Sequence, residues 1–256
     1  MRISTDNGPI RNMFGDVKAT QMIGEAGFEG IDYTFYDIDP ENDILALPDA
    51  DRRALAEDVA AWCRELGLAV SGTHTGAAAL TEENLADTIA YHKTIGNKKF
   101  IIPGEDLSTL EKIDRFAAIV NAAIPKMAEA GIEVGYHNHS HEFVVMPWGS
   151  TIHSELEKRC NVFFEIDTYW AFNAGLDPIQ VMNRLADRLR VIHLKDGHMG
   201  GRGKALGEGD APVKAVRKRA IEMGIPMVVE SETLTPTGLE EVGRCIKFLR
   251  ACDAED

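Results

Sequence analysis

Short apolar runs alternate with longer amphipathic ones along the whole chain. Runs of four to eight apolar residues predict strands over 2–6, 29–35, 68–74, 99–103, 132–139, 162–167, 189–194 and 225–230. Between them the apolar positions fall at helical spacing. Leu55, Val59, Trp62 and Leu66 form such a stripe, and Gly67 follows as a stop signal. Helices are predicted over 15–26, 51–66, from a cap at Thr81 to 91, over 107–130, 150–158, from Asp177-Pro178 onward, and over 212–223 and 238–252. The glycine-rich stretch 197–209 reads as a loop. Eight strand–helix units without a Pro/Ser-rich linker predict a single (β/α)8 TIM barrel domain over residues 1–256. An open doubly wound sheet is the alternative, but no strand is followed by G-x-G-x-x-G.

Composition narrows the function classes. The chain has 256 residues, 45% of them hydrophobic, enough for one large core. Asp and Glu number 41 against 27 Lys and Arg, a formal net charge of −14. That balance repels phosphate backbones, so no nucleic-acid partner is expected. Cys63, Cys160, Cys245 and Cys252 show no metal-ligand or redox spacing and read as structural thiols in a reducing compartment. The first residues lack the apolar stretch of a signal peptide, and no run approaches the roughly 20 apolar residues of a membrane span. A cytoplasmic protein without a membrane partner is the expectation.

In a parallel barrel the chemistry lies where strands end and the following loops begin. Strand three ends in His74, strand five in a segment carrying His137, His139, His141 and Glu142, and strand six in Asp167. Strand seven ends in His193-Leu194-Lys195, and strand eight in Glu230-Ser231-Glu232. Each has an ordinary structural explanation. Asp167 is placed to cap the next helix, His193 to sit satisfied in the core, the two glutamates to be solvated at the rim, and the histidine triplet to be an alternating strand edge. Carboxylates and imidazoles converging from neighbouring apolar strands fit a metal site better than four separate accidents. Oxygen-rich donors without cysteine suggest one divalent metal ion, Mn²⁺ first, with Zn, Co, Mg or Fe as alternatives.

At these residues the chain resembles the sugar phosphate isomerase/epimerase superfamily, the xylose isomerase-like barrels. The segments are GYHNHSHEF at 135–143, FEIDTYWAFNAG at 164–175, IHLKDG at 192–197, LGEGD at 206–210 and VVESE at 228–232. The branch with a YHNHxxEF segment is the best match. The resemblance implies one metal held by a Glu, Asp, His, Glu set, here Glu142, Asp167, His193 and Glu230. Simple epimerases carry the first glutamate inside strand five, where this chain has His137, so His137 is the alternative fourth ligand.

The resemblance further implies a carbohydrate substrate and proton abstraction next to a metal-bound carbonyl, through an enediolate, in an isomerase or epimerase. Glu142 and Glu230 are then the acid–base pair, joined by His137 and His139. Lys195 stabilises an oxyanion, and His74, Trp170 and Glu232 contact substrate. A histidine presented by strand five shifts the expectation toward a lyase or dehydratase acting on a 3-keto glycoside or inosose. A DNA-repair endonuclease is opposed by the charge, and a non-catalytic barrel by the retained metal-type residues. Barrels of this family commonly pair, so a homo-oligomer is an open expectation. Glycines 200–209 are a candidate loop for a substrate phosphate.

Overall fold

A computed structural model describes residues 4–6, 8, 16–34, 47–231 and 237–255. The strands are β1 (Ser4–Asp6), β2 (Gly30–Thr34), β3 (Ala69–His74), β4 (Lys99–Ile102), β5 (Glu133–His137), β6 (Phe163–Asp167), β7 (Leu189–Leu194) and β8 (Met227–Val229). They run parallel and close into a barrel, because β1 pairs with both β2 and β8. The helices packed outside are α1 (Asp16–Glu25), α2 (Asp49–Leu66), α3 (Leu85–Thr94), α4 (Leu110–Glu129), α5 (Ile152–Arg159), α6 (Thr168–Asn173), α7 (Pro178–Arg184), α8 (Val213–Met223) and α9 (Gly238–Glu255). This is the (β/α)8 barrel that the alternation predicts.

Local chemistry sets the boundaries. The side chains of Thr109, Thr151 and Asp177 accept from backbone amides at the starts of α4, α5 and α7. Gly67 ends α2 in a left-handed conformation with φ 67°. Thr81 does not cap a helix as expected. Its hydroxyl donates to the Ala78 carbonyl, closing a 3₁₀ turn over Ala77–Leu80, and α3 starts only at Leu85. The expected loop at 197–209 contains a short antiparallel pair, Asp196–Gly197 with Gly203–Lys204.

Strand alternation sorts the side chains of β6. Phe163, Glu165 and Asp167 share the inner face, while Phe164 and Ile166 join the large core under the helices. At the amino-terminal end of the barrel Ile101, Phe163, Val191 and Val228 form their own apolar cluster. The Phe163 ring needs Gly135 opposite it, because a Cβ there would lie 2.3 Å from the ring. All four cysteines are buried and unpaired. No described helix is long and apolar enough to cross a membrane.

Candidate metal centre

The strand-end residues meet at the carboxyl-terminal end of the barrel. His137 closes β5 and Asp167 closes β6. His193 is the fifth residue of β7, in register with Asp167, and Glu230 follows β8 directly. Each offers a ligand atom, and these atoms all lie within 4.8 Å of one another. His193 Nδ1 is 3.0 Å from Glu230 Oε2. Asp167 serves two roles with its two oxygens. Its Oδ1 accepts from the Trp170 amide at 2.8 Å and caps α6, a short helix absent from the predicted elements. Its Oδ2 is buried and has no donor among the described residues. A carboxyl oxygen buried without a hydrogen-bond donor is stabilised by a proton or by a cation, and here the Lys195 ammonium stands near it, at 3.8 Å.

The course of β5 places Glu142 and His137 on different sides of the strand. Strand five was expected to run to 139, but it stops at His137 because Asn138 bonds sideways to β6. The Asn138 amide donates to the Asp167 carbonyl at 3.3 Å, and its Oδ1 accepts from the Asp167 N–H at 3.2 Å. The chain then turns, so His139, His141 and Glu142 stand on a loop. Glu142 is fully buried, yet its Oε1 accepts from the Tyr136 hydroxyl at 3.0 Å and its Oε2 from the His139 N–H at 2.8 Å. Tyr136 packs against Phe116 of α4, on the face of β5 opposite to His137. Glu142 is thereby drawn to the helix side and holds the loop. It groups with His139 and His141 and is not brought together with Asp167, His193 and Glu230; His137 takes that place.

Beneath these groups lies a residue that the sequence reading passed over. Glu165, fully buried on β6, receives His74 Nε2 at 2.6 Å and His137 Nδ1 at 3.0 Å on Oε2, with His193 Nε2 at 3.3 Å from the same oxygen. Asp32 on β2, also buried, approaches His193 Nε2 at 3.7 Å. The sequence held a signal for both: an acidic residue inside an otherwise apolar strand, and for Glu165 a position two before Asp167, which puts it on the same face. His74 was expected to hold a substrate hydroxyl, but its Nε2 is bonded to Glu165.

The charges are strongly interdependent. Burial opposes a proton on His74, but Glu165 and Asp32 outweigh it and raise its pKa to about 9. Burial pushes His137 down to about 3, so its imidazole is neutral. Burial lifts Asp167 well above the carboxylate range, with Lys195 lowering it and Glu230 raising it. Burial opposes ionisation of Glu230 as well, yet Lys195 and His193 hold it well below the usual value. Lys195 is itself buried, its Nζ 3.6 Å from Glu230 Oε1, 3.8 Å from Asp167 Oδ2 and 4.4 Å from the centre of the Trp170 ring. His139 lies 5.1 Å from His137 and 5.9 Å from Trp170 between ring centres, with burial lowering its pKa. Glu232 lies outside the described residues.

The glycine-rich loop has its amides committed elsewhere. The buried Asp196 carboxylate accepts from the N–H groups of Gly197 at 2.8 Å, Gly207 at 2.8 Å, Gly209 at 3.1 Å and Ala211 at 3.2 Å. A nest that could receive a phosphate is filled by the protein's own anion. A cavity of about 750 Å³ opens at the opposite end of the barrel, beside Ser4, Val70, Val191 and Met227. It contains none of the strand-end residues and lies on the face where barrels carry stability.

Residues 21–252 match the family model of the xylose isomerase-like TIM barrel. A sugar phosphate isomerase/epimerase from Parabacteroides distasonis superposes with a TM-score of 0.75 at 22% identity, covering 98% of this chain and 93% of that one. A probable 3-DHS dehydratase from Bacillus anthracis gives 0.72 at 12% identity, covering 98% and 99%. A D-allulose 3-epimerase from Methylomonas sp. gives 0.67 at 16% identity, covering 98% of each. No curated protein sequence matches the chain. At these identities the structural likeness is one of fold, whereas the family model spans nearly the whole chain, and the chain belongs to the xylose isomerase-like TIM barrel family.

Proposed function

We propose that the protein is a divalent-metal-dependent isomerase or epimerase of a sugar or keto-sugar, with His137, Asp167, His193 and Glu230 holding the ion. The observation that carries this reading is the convergence of those four side chains, with Oδ2 of Asp167 left without a hydrogen-bond partner. Two imidazoles and two carboxylates suit Mn, Fe, Co or Zn, and Mn²⁺ remains our first choice. When bound, a divalent ion supplies Lewis-acid stabilisation to a substrate carbonyl oxygen.

The protein's own groups supply the proton transfers. Glu230, kept ionised, stands on the β8 side and removes the proton next to the carbonyl. His139 stands on the β5 side and returns a proton from there as an imidazolium that has first taken a proton from solvent, a form that burial disfavours. Strands β6 and β7 separate these two positions around the barrel, so the substrate lies between them. Lys195 offers its ammonium to the oxygen on which negative charge grows. Trp170, over the Lys195 ammonium, forms one wall for the sugar ring. The Asp196-filled amide nest favours an unphosphorylated substrate.

One observation favours a second reading. Strand β5 presents the imidazole of His137 where an epimerase would present a second carboxylate base. With a single carboxylate base at Glu230, elimination of a β-leaving group becomes the competing chemistry, as in a lyase or dehydratase acting on a 3-keto glycoside or inosose.

The test is incubation of the Mn²⁺-loaded protein in D₂O with candidate ketoses, their phosphates and keto-glycosides. Deuterium entry at the carbon next to the carbonyl, without loss of a group, is the expected result. An unsaturated product selects the lyase reading. No exchange with any candidate, together with no bound metal by elemental analysis, overturns both.

A further inference from the structure

Three imidazoles from three strands point at one oxygen of Glu165. His74 on β3 bonds to Oε2 at 2.6 Å, His137 on β5 at 3.0 Å through Nδ1, and His193 on β7 presents Nε2 at 3.3 Å. Glu165 is wholly buried on the central of the strands β5, β6 and β7. Its neighbour in register is His137 itself. Glu165 forms a second candidate ligand group with His74, His137 and His193, but its shortest contact within that group is already a hydrogen bond. Two ligands of one ion at ~2.1 Å each stand roughly 3 Å or more apart, whereas the 2.6 Å contact to His74 is a direct hydrogen bond.

We infer that Glu165 is a positioning residue that fixes His137 as the Nδ1–H tautomer, leaving Nε2 as its only ligating nitrogen, and that turns His193 so that Nδ1 faces Glu230. The inference rests on the metal-centre reading given above. The chemistry is elementary. A neutral imidazole has one N–H, and a carboxylate accepts but cannot donate. With Nδ1–H donated to Glu165, the lone pair of His137 is at Nε2. His193 presents the reverse arrangement. Its Nε2 faces the carboxylates of Glu165 and Asp32, and its Nδ1 lies 3.0 Å from Glu230. A single side chain thereby orients two rings that belong to different strands and would ligate through different nitrogens. Partners of this kind set ring orientation and raise ligand basicity, and their loss costs 10–100-fold in metal affinity.

The first measurement uses the metal-free wild-type protein labelled with ¹⁵N-histidine. Long-range ¹H–¹⁵N correlation is expected to show His137 protonated at Nδ1 and bare at Nε2. An Nε2–H tautomer there overturns the inference without any variant. The second measurement compares Glu165→Gln with wild type by chelator competition for Mn²⁺. The amide presents a donor as well as an acceptor to the three rings, so His137 is expected to populate both tautomers. Mn²⁺ affinity is expected to fall 10–100-fold with the one-to-one stoichiometry retained. A folded Glu165→Gln protein with unchanged tautomer and unchanged affinity overturns the inference. Wild-type protein that shows the Nδ1–H tautomer but takes up no metal overturns the proposed function, while the tautomer assignment stands.

Discussion

On β6 the inward side chains run Phe163, Glu165, Asp167 from the bottom of the barrel to its top. On β7 Val191 is followed two residues later by His193, and Glu230 comes two residues after Val228, just beyond β8. The lower tier is apolar, with Ile101, Val191 and Val228 beside the Phe163 ring that lies on Gly135. The upper tier holds His137, Glu165, Asp167 and His193 with almost no exposure. One strand thus passes from hydrocarbon to ionised side chains within two residues. The lower tier stabilises by burial and close packing, whereas the upper tier buries charge that no hydrophobic gain offsets. The comparison teaches that the barrel carries its stability at one end so that the other end can hold groups chosen for chemistry.

The sharpest way to separate the tiers is to damage the lower one. Phe163→Ala removes a buried ring from the apolar cluster and leaves a cavity over Gly135. A loss of ~3–5 kcal/mol is expected in urea denaturation. Mn²⁺ stoichiometry of the protein that remains folded is expected to be unchanged at low temperature, because no strand-end group touches the cavity. A simultaneous loss of metal would mean that the tiers are not independent.

Two buried histidines sharpen the contrast at the level of single groups. His137 faces the upper tier, whereas His92 of α3 lies between helix and sheet. His92 Nδ1 is 2.7 Å from the Thr88 carbonyl, and its Nε2 is 2.9 Å from the Thr73 hydroxyl. It is a satisfied core histidine, and burial lowers its pKa to about 4. Between about 4 and the unfolded value of ~6.5 the unfolded chain binds the extra proton, so stability falls as pH drops through that window and levels off below it. The loss is on the order of 3 kcal/mol. Urea denaturation between pH 7 and pH 4 is expected to show this slope, and His92→Asn is expected to flatten it. An equal slope in the variant would assign the acid loss to the upper tier instead.

These two histidines also show how far sequence reaches. The alternation of apolar runs was enough for the eight-stranded barrel, because the core face of every strand and helix follows from spacing alone. Asp167, His193 and Glu230 were legible for a related reason, being polar ends of apolar strands. The partner from β5 was not. Whether Glu142 or His137 faces inward depends on where the strand stops, and Asn138 stops it by bonding to Asp167, a residue 29 positions away. Glu142 then follows Tyr136 to the helix side. Glu165 was overlooked although its alternation with Asp167 was visible, since a strand-interior glutamate draws no notice until its three imidazole partners are seen together. Asp196 shows the same limit. Its four amide donors come from a loop whose glycines, read by themselves, suggest an external phosphate.

The smallest effect we expect is also the most direct measure of what the upper tier costs. Asp167 has its pKa raised well above the carboxylate range by burial and by the nearby Glu230, with Lys195 only partly compensating. A carboxyl whose folded pKa is raised contributes fully below the unfolded value of ~3.8, and its contribution is lost as pH rises toward the folded value. At pH 7 the metal-free protein therefore pays for keeping Asp167 inside. Asp167→Asn keeps an oxygen to cap α6 at Trp170 and removes the ionisable group. The metal-free variant is expected to gain ~1 kcal/mol at pH 7, seen as a raised thermal midpoint, and the gain is expected to shrink toward pH 4. Mn²⁺ affinity is expected to move the other way, because the amide oxygen is neutral where the carboxylate carried charge. Destabilisation of the metal-free variant at pH 7 would mean that Asp167 is a structural cap first, and that the upper tier carries less strain than its burial implies.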